Sequence, residues 1–595
     1  MALDGEVSTV RVDGVRMARR EAVRGSAGIA PPVALGDRIW RLVALGVTAL
    51  VALPVLSVAI SGFTDASAVW SHLIATTLPD ILWNTLGMML GVGIGTSLIG
   101  VGTAWLVTMC RFPGSRALEI LLLLPMAMPA FIIGYAYADF LTFAGPLQSL
   151  IRNLTGLTRG HYWFPNIYSL GGVITMLTFV LYPYVYLMTR AAFLEQSAGV
   201  LEAARTLGAG PWKAFFRIAV PLARPAIGAG VALALMEAIA DFGTVQYFGL
   251  STFTTAIYRT WFGMGETAVA AQLATTLLVF AIGLITLERL SRGARGFQHT
   301  TRRVTPPSPH QLRGWRAAMA MAICGLPVLV GFVLPVGIFV AMAIEVGDPL
   351  ALSRLAGYAG NSLTLAGLAA ASVVAVALLL TYATRLDPGR ISRLAARIAS
   401  SGYAVPGSVV AIGILVPLGL FDNAVDGFMR AHFGVSTGLL LSGSAVALVY
   451  AYVVRFLAVG MGPIESGFGK LSKGLDGTAR TLGASPWRVV TQVHAPMLRG
   501  SVLTAALLVF VDVFKELPAT LIVRPFNFDT LAVRIYGLAA DERLAQASTG
   551  ALMIVAVGLV PVLVLSWSIR RRPERIAVAR IGFRDEPKTL VRAGS

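Results

Sequence analysis

Charge is what this 595-residue sequence most lacks. Only 13% of its residues are Asp, Glu, Lys or Arg, against 56% hydrophobic, and the mean hydropathy is +0.74. That balance excludes a soluble globular chain, which carries about 25% charge, and fits a polytopic membrane protein. Two cysteines, Cys110 and Cys324, rule out a disulfide framework and read as packing residues. The six histidines are scattered, with no His/Cys metal spacing and no nucleophile elbow. No Gly-x-x-x-x-Gly-Lys-Ser/Thr phosphate loop occurs, since Gly467-Phe468-Gly469-Lys470 lacks the spacing. The chain is therefore read as no enzyme, with no cofactor of its own and a metal role left unknown.

What the sequence has is long apolar runs. Twelve of roughly 20 residues, each enough to cross about 30 Å of hydrocarbon as a helix, lie near 38–62, 82–110, 116–144, 168–190, 226–250, 268–288, 317–345, 360–385, 395–421, 438–462, 499–523 and 546–569. A basic stretch around Pro306-Pro307-Ser308-Pro309 separates the first six from the last six. The predicted organisation is a basic tail (1–37), a first half (38–290), a linker (291–315), a second half (316–570) and a second tail (571–595).

The formal net charge of +18 is distributed by side. Arg111 and Arg116 fall between the second and third runs, and Arg385, Arg390, Arg393 and Arg397 between the eighth and ninth. Arg570, Arg571 and Arg572 follow the twelfth, whereas residues 61–80 hold no Lys or Arg. Lys and Arg accumulate in short cytoplasmic loops, so both termini are expected in the cytoplasm. The basic excess is then explained by topology and not by nucleic acid. The basic amino-terminal tail is expected near anionic membrane lipid.

A repeat divides the chain. Residues 204–212 read ARTLGAGPW and residues 479–487 read ARTLGASPW, 275 positions on. Asn84-Thr85-Leu86 is echoed by Asn361-Ser362-Leu363, and Pro129 by Pro406, which are expected within the third and ninth spans. Two copies in one orientation predict an all-α protein of two parallel six-helix halves related by a pseudo-two-fold axis along the membrane normal.

Within the repeated segment, Gly208 suits a left-handed helix cap and Pro211 the first turn of a second helix. That second helix is expected to place Trp212, Phe215, Phe216 and Ala219 on one side and to stop at Pro221. Four carboxylates in apolar runs form two pairs, Glu237 with Asp241 and Asp512 with Glu516, each four apart and at the same repeat positions. An ionised group in hydrocarbon costs at least about 2.5 kcal/mol and faces a cavity or a partner. Both readings stay open here. The pairs face each other and meet a hard cation, or they are paired off by Lys515, Arg259, Arg524 or Arg534. Gly243 and Pro518 are expected to end or kink the helices just beyond them. Tyr135, Tyr137 and Tyr182 either line the route or bond between helices.

Glu202-Ala203-Ala204, three residues, Gly208, nine residues, Ile218, one residue and Val220-Pro221 resemble the EAA loop of permease subunits of binding-protein-dependent ABC importers. The second copy keeps Gly483, Val493 and Pro496 but has Gly477 and Thr478 in place of Glu202 and Ala203. The strings 240–244, 252–258, 515–520 and 524–532 are similar to the fused, two-half ferric iron group of that family. The resemblance implies a transmembrane permease of an ATP-driven importer in the bacterial cytoplasmic (inner) membrane. Its implied partners are a cytosolic ATPase dimer holding ATP and Mg and a periplasmic substrate-binding protein. It also implies that Glu202, Ala203, Ala204, Arg205, Gly208, Arg480 and Gly483 couple to the ATPases. Thiamine, phosphonate or polyamine is the alternative cargo within that class, and an ion-coupled secondary transporter the alternative outside it.

Overall fold

A computed structural model describes residues 35–63, 67–158, 161–195, 208, 210–292, 310–347, 351–387, 389–469, 471, 474–485 and 488–581. The described chain is helical apart from a two-residue parallel pairing of Cys110–Arg111 with His310–Gln311. Among these residues twelve helices are long and apolar enough to cross a membrane. Numbered spans 1 to 12, they are Ile39–Ser61, Leu78–Met109, Ala130–Thr155, Leu170–Leu194, Trp212–Ala240 and Thr267–Glu288, then Trp315–Val346, Ser353–Leu386, Gly407–Phe433, Ala445–Gly469, Pro496–Phe514 and Leu544–Val564.

Two sequence boundaries move, for one reason. Proline has no N–H to continue an i→i−4 ladder, and Pro129 and Pro406 stand at the extended N-caps of spans 3 and 9, not within them. The apolar residues before them fold separately, as Ser115–Leu121 with the 3₁₀ turn Leu124–Ala127, and as Arg390–Ala399 with the 3₁₀ turn Ser400–Ala404.

The second helix of the repeat does not stop at Pro221. A π turn, Phe215–Ala219, carries it into Val220–Ala240, and Val489–His494 does the same before Ala495–Phe514. A π turn loosens the ladder by one residue, which accommodates a proline with no donor to offer. The expected aromatic face is also divided. Phe215 and Ala219 are buried, with Phe215 against Trp105, whereas Trp212 and Phe216 are exposed and stacked on each other.

Spans 2, 4 and 5 pack together in the first half, and spans 8, 10 and 11 in the second. Hydrocarbon offers no hydrophobic drive between helices, so close backbone contact at small residues has to hold them. Gly95 lets Thr178 in, since an added Cβ would lie 2.6 Å from its Oγ1, and Gly460 admits Val373 at the same distance. The echoed asparagines do equivalent work. Asn84 Nδ2 donates to the Ser251 carbonyl at 3.0 Å, and Asn361 Nδ2 to the Asp529 carbonyl at 3.0 Å.

The halves interlock through their outer spans. Spans 1 and 6 lie against span 9, while spans 7 and 12 reach span 3 and the turn Leu124–Ala127. Tyr137 donates to the Val330 carbonyl at 2.6 Å, and Tyr450 to the Leu50 carbonyl at 2.5 Å. At one end of span 1, Arg41 Nε meets Asp387 Oδ2 at 2.6 Å, and that hydrogen bond holds the Asp387 carboxyl below the usual carboxylate range.

Gly413 of span 9 lies directly on the backbone of Pro54 in span 1. Gly413→Val is expected to wedge the halves apart at a cost of about 1–3 kcal/mol, read as a lowered unfolding temperature of the detergent-solubilised protein. Gly419→Val, on the same helix with open space beside it, is the comparison that should stay near wild type.

Candidate functional site

Spans 5 and 11 end short of the expected runs. The α-helical geometry is lost at Asp241, with ψ 130°, and at Lys515, and short helices Gly243–Tyr247 and Pro518–Val523 follow. Gly243 and Pro518 thus begin new helices where the sequence predicted an end or kink. Gly243 also permits a close approach between halves, because a Cβ there would lie 2.5 Å from Phe131 and 3.0 Å from Leu517.

These breaks border a cavity of about 110 Å³ lined from both halves. All four predicted carboxylates line it, but the pairs are not equivalent rows facing each other. The outer members serve the backbone. Asp241 accepts from Thr244 N at 3.0 Å, Val245 N at 3.1 Å and Thr244 Oγ1 at 3.0 Å. Glu516 accepts from Ala519 N at 2.8 Å, Thr520 N at 2.9 Å and Thr520 Oγ1. Each carboxylate thereby satisfies N–H groups that a helix start leaves without intrahelical partners.

The inner members have side-chain partners. Glu237 Oε1 accepts from the hydroxyl of Tyr403 in the other half at 2.7 Å. Asp512 Oδ1 meets Lys515 Nζ at 3.0 Å, one turn along its own chain. Glu516 also meets Arg455 Nη1 at 3.3 Å, and Gly407 leaves the space through which that guanidinium passes. Among the described residues, of the expected cationic partners only Lys515 meets one of the four acids. Arg524 pairs with Asp529, and Arg534 sits over the Tyr358 ring.

The charge is asymmetric. Four carboxylates against Lys515 and Arg455 leave a formal balance of −2, taking 4 negative and 2 positive groups along the lining. Both cations belong to the second half; 275 positions earlier stand the apolar Ala240 and Val180. Among the described residues no group of three or more His, Cys, Asp and Glu is placed to hold a metal ion.

Arg455, Tyr403 and Tyr184 line the cavity but were not picked out in the sequence. The intramembrane Arg455 was the legible one, since a guanidinium inside an apolar run carries the same cost as a carboxylate. The tyrosines that were singled out lie elsewhere in their bonding. Tyr137 bonds Val330 and Tyr182 donates to the Leu122 carbonyl at 2.9 Å, while Tyr135 is buried with its ring against Tyr247.

The repeated segment is described in part. Glu202, Ala203, Ala204 and Arg205 lie outside the described residues. Gly208 and Gly483 have φ of +79° and +81°, the left-handed conformation expected of Gly208 and found in both. Helix Gly474–Thr481, which contains Arg480, closes with Ala484 N donating to the Ala479 carbonyl at 3.0 Å, as a glycine cap does. The single difference between the copies also has a structural consequence, since Ser485 Oγ accepts from Arg488 N at 3.3 Å where Gly210 has no side chain.

Residues 96–295 and 374–574 each match the family described as binding-protein-dependent transport system inner membrane component. The chain is 25% identical over 498 residues to Fe(3+)-transport system permease protein FbpB 2 of Haemophilus influenzae, covering 82% of this chain and 90% of that one. It is 21% identical over 539 residues to ferric transport system permease protein FbpB of Actinobacillus pleuropneumoniae, covering 87% and 76%. Molybdenum transport system permease protein ModB of Escherichia coli matches at 29% over 203 residues, 33% of this chain and 86% of that one.

Glu516→Ala would leave Arg455 without its buried counterion and Pro518–Val523 without its cap. Its expected cost is about 3–5 kcal/mol, measured as a drop in unfolding temperature. A Glu516→Met/Arg455→Met double variant should recover much of that loss, and failure to recover any would show that the ion pair is not the source.

Proposed function

This chain belongs to the family of binding-protein-dependent transport system inner membrane components, and we propose that the cargo passing between its halves is ferric iron. It is a multi-pass permease of an ABC importer and not itself a catalyst, and membership implies ATPase and binding-protein partners. The observation that carries the iron reading is coverage: similarity to the ferric permeases runs through both halves, while the molybdenum relative matches 33% of the chain. The cavity chemistry agrees, because carboxylate oxygens suit a hard cation. Thiamine, phosphonate and polyamine remain the other outcomes of the test below.

The loops around Gly208 and Gly483, with Glu202, Ala203, Ala204, Arg205 and Arg480, face the cytoplasm and dock on an ATPase pair that holds ATP and Mg. Both termini share that side, following the arginine distribution. Closure of the ATPases draws the loops together, and the interlocked halves respond by widening the cavity toward a docked periplasmic binding protein. Glu237 and Asp512 then meet the released cation. Lys515 competes with it for Asp512 and Tyr403 holds Glu237, so the cation is bound weakly enough to leave.

Reconstitution with candidate ATPases and binding proteins tests the cargo. Iron-loaded binding protein is expected to stimulate ATP hydrolysis; stimulation only by a protein loaded with another cargo removes iron. Glu237→Gln and Asp512→Asn should each lower iron uptake at least about tenfold, or ~1.4 kcal/mol, without lowering the unfolding temperature. For coupling, Gly208→Pro is expected to reduce transport more severely than Gly483→Pro, since the fuller Glu-Ala-Ala pattern precedes Gly208. Equal losses would contradict that asymmetry.

A further inference from the structure

Arg390–Ala399, between spans 8 and 9, presents three different stripes. Ser392, Ala395 and Ala399 are buried, and Thr48 of span 1 donates to the Ala395 carbonyl at 3.2 Å. Ile391, Leu394 and Ile398 are 53%, 59% and 43% exposed. Arg390, Arg393 and Arg397 are exposed too. At 3.6 residues per turn the apolar stripe is centred about 100° from the buried one, and the arginines about 100° further round. The helix therefore has one side on the protein, the next apolar and the next cationic, as a helix lying in a membrane interface does.

None of the three guanidiniums takes part in an ion pair among the described residues, and Arg393 Nε donates only to the Gly389 carbonyl at 3.4 Å. The corresponding helix of the first half, Ser115–Leu121, carries Glu119 and pairs it with Arg190. The second half leaves its positive charge uncompensated.

We propose that Arg390, Arg393 and Arg397 form a binding row for the phosphate headgroups of anionic phospholipids, with Ile391, Leu394 and Ile398 against the acyl chains. Charge complementarity and the adjoining apolar stripe select a lipid over a soluble anion, which has no use for exposed isoleucine and leucine. The row occupies the leaflet that the proposed orientation makes cytoplasmic, and that placement rests on the functional reading above. Arg390–Ala399 runs directly into Ser400–Ala404, whose Tyr403 bonds Glu237. Headgroups holding this helix therefore bear on a cavity residue, and transport becomes sensitive to leaflet composition.

The test uses the full-length protein in neutral detergent. Phosphatidylglycerol is expected to raise the unfolding temperature, and phosphatidylcholine is not. In R390Q/R393Q/R397Q the phosphatidylglycerol needed for half the effect should rise on the order of a hundredfold, from about 1 kcal/mol per charge. Arg393→Gln alone should raise it roughly fivefold, which keeps the proposal testable should the triple variant fold poorly, and R390K/R393K/R397K should retain wild-type binding. An unchanged titration in the glutamine variants overturns the proposal. So does displacement of the lipid effect by equimolar inorganic phosphate, or loss of ATPase stimulation with lipid binding intact, which would give the row to a protein partner. The titration does not depend on sidedness. A wrong orientation shows separately, as labelling of Ser401→Cys by an impermeant maleimide from the external face.

Discussion

The cost of an ionised group in hydrocarbon governs how the centre of this protein is built. Four carboxylates near the ends of two spans have each been given donors, and the donors decide where the helices stop. Asp241 and Glu516 accept backbone N–H groups of the short helices that follow them, so breaking spans 5 and 11 and stabilising the acids are one event. A continuous helix would have consumed those N–H groups and left the acids bare. Glu516 additionally holds Arg455, which would otherwise be an isolated charge at the same depth. The cavity is thus a by-product of capping, lined by acids whose first obligation is structural, and among the described residues Glu237 and Asp512 are the two held by side chains and not by backbone.

Interlocking gives that cavity its mechanical setting. Spans 1 and 6 lean on span 9, span 7 on span 3 and span 12 on the turn Leu124–Ala127 before it, so neither half can pivot without carrying part of the other. Glycines at the crossings keep the contact at backbone distance, and close contacts of this kind transmit a displacement where loose side-chain packing would absorb it. The π turns before spans 5 and 11 add a second feature. They run without a break into the spans that end in the carboxylates, so in the proposed coupling a displacement at Phe215 or Val489 would be carried along one helix to Glu237 or Asp512.

Much of this was legible in the sequence, and what was not has identifiable causes. The number of spans, the parallel repeat and the Gly208 cap followed from run length, a nine-residue near-copy and the need for φ > 0. The Asn84 and Asn361 echo proved to be one hydrogen bond made twice. Span edges at Pro129 and Pro406 were misjudged because hydropathy continues through a proline although the N–H ladder does not. Pro221 misled in the opposite sense, since a π turn can absorb a proline and pattern alone does not reveal one. Tyr403 escaped notice because its partner, Glu237, is 166 residues away, and no periodicity reports a contact of that range.

The two halves are copies in outline and differ where charge is handled. Met126 stands where the proline offset of 277 places the counterpart of Tyr403, and Ala240 and Val180 stand opposite Lys515 and Arg455. All three polar additions are in the second half, so Glu237 is bonded by a residue of the other half while Asp512 is neutralised by its own chain. A cation taking the proposed route between them would meet one acid held by a neutral hydroxyl and another held by an ammonium. The first is the stronger attractor, because a hydroxyl gives up an acceptor at less electrostatic cost than an ammonium gives up its counterion. Symmetric halves would offer two equal sites and no preferred order of occupation. On the proposed pathway this asymmetry would set an order of occupation, Glu237 before Asp512, that a symmetric cavity would lack.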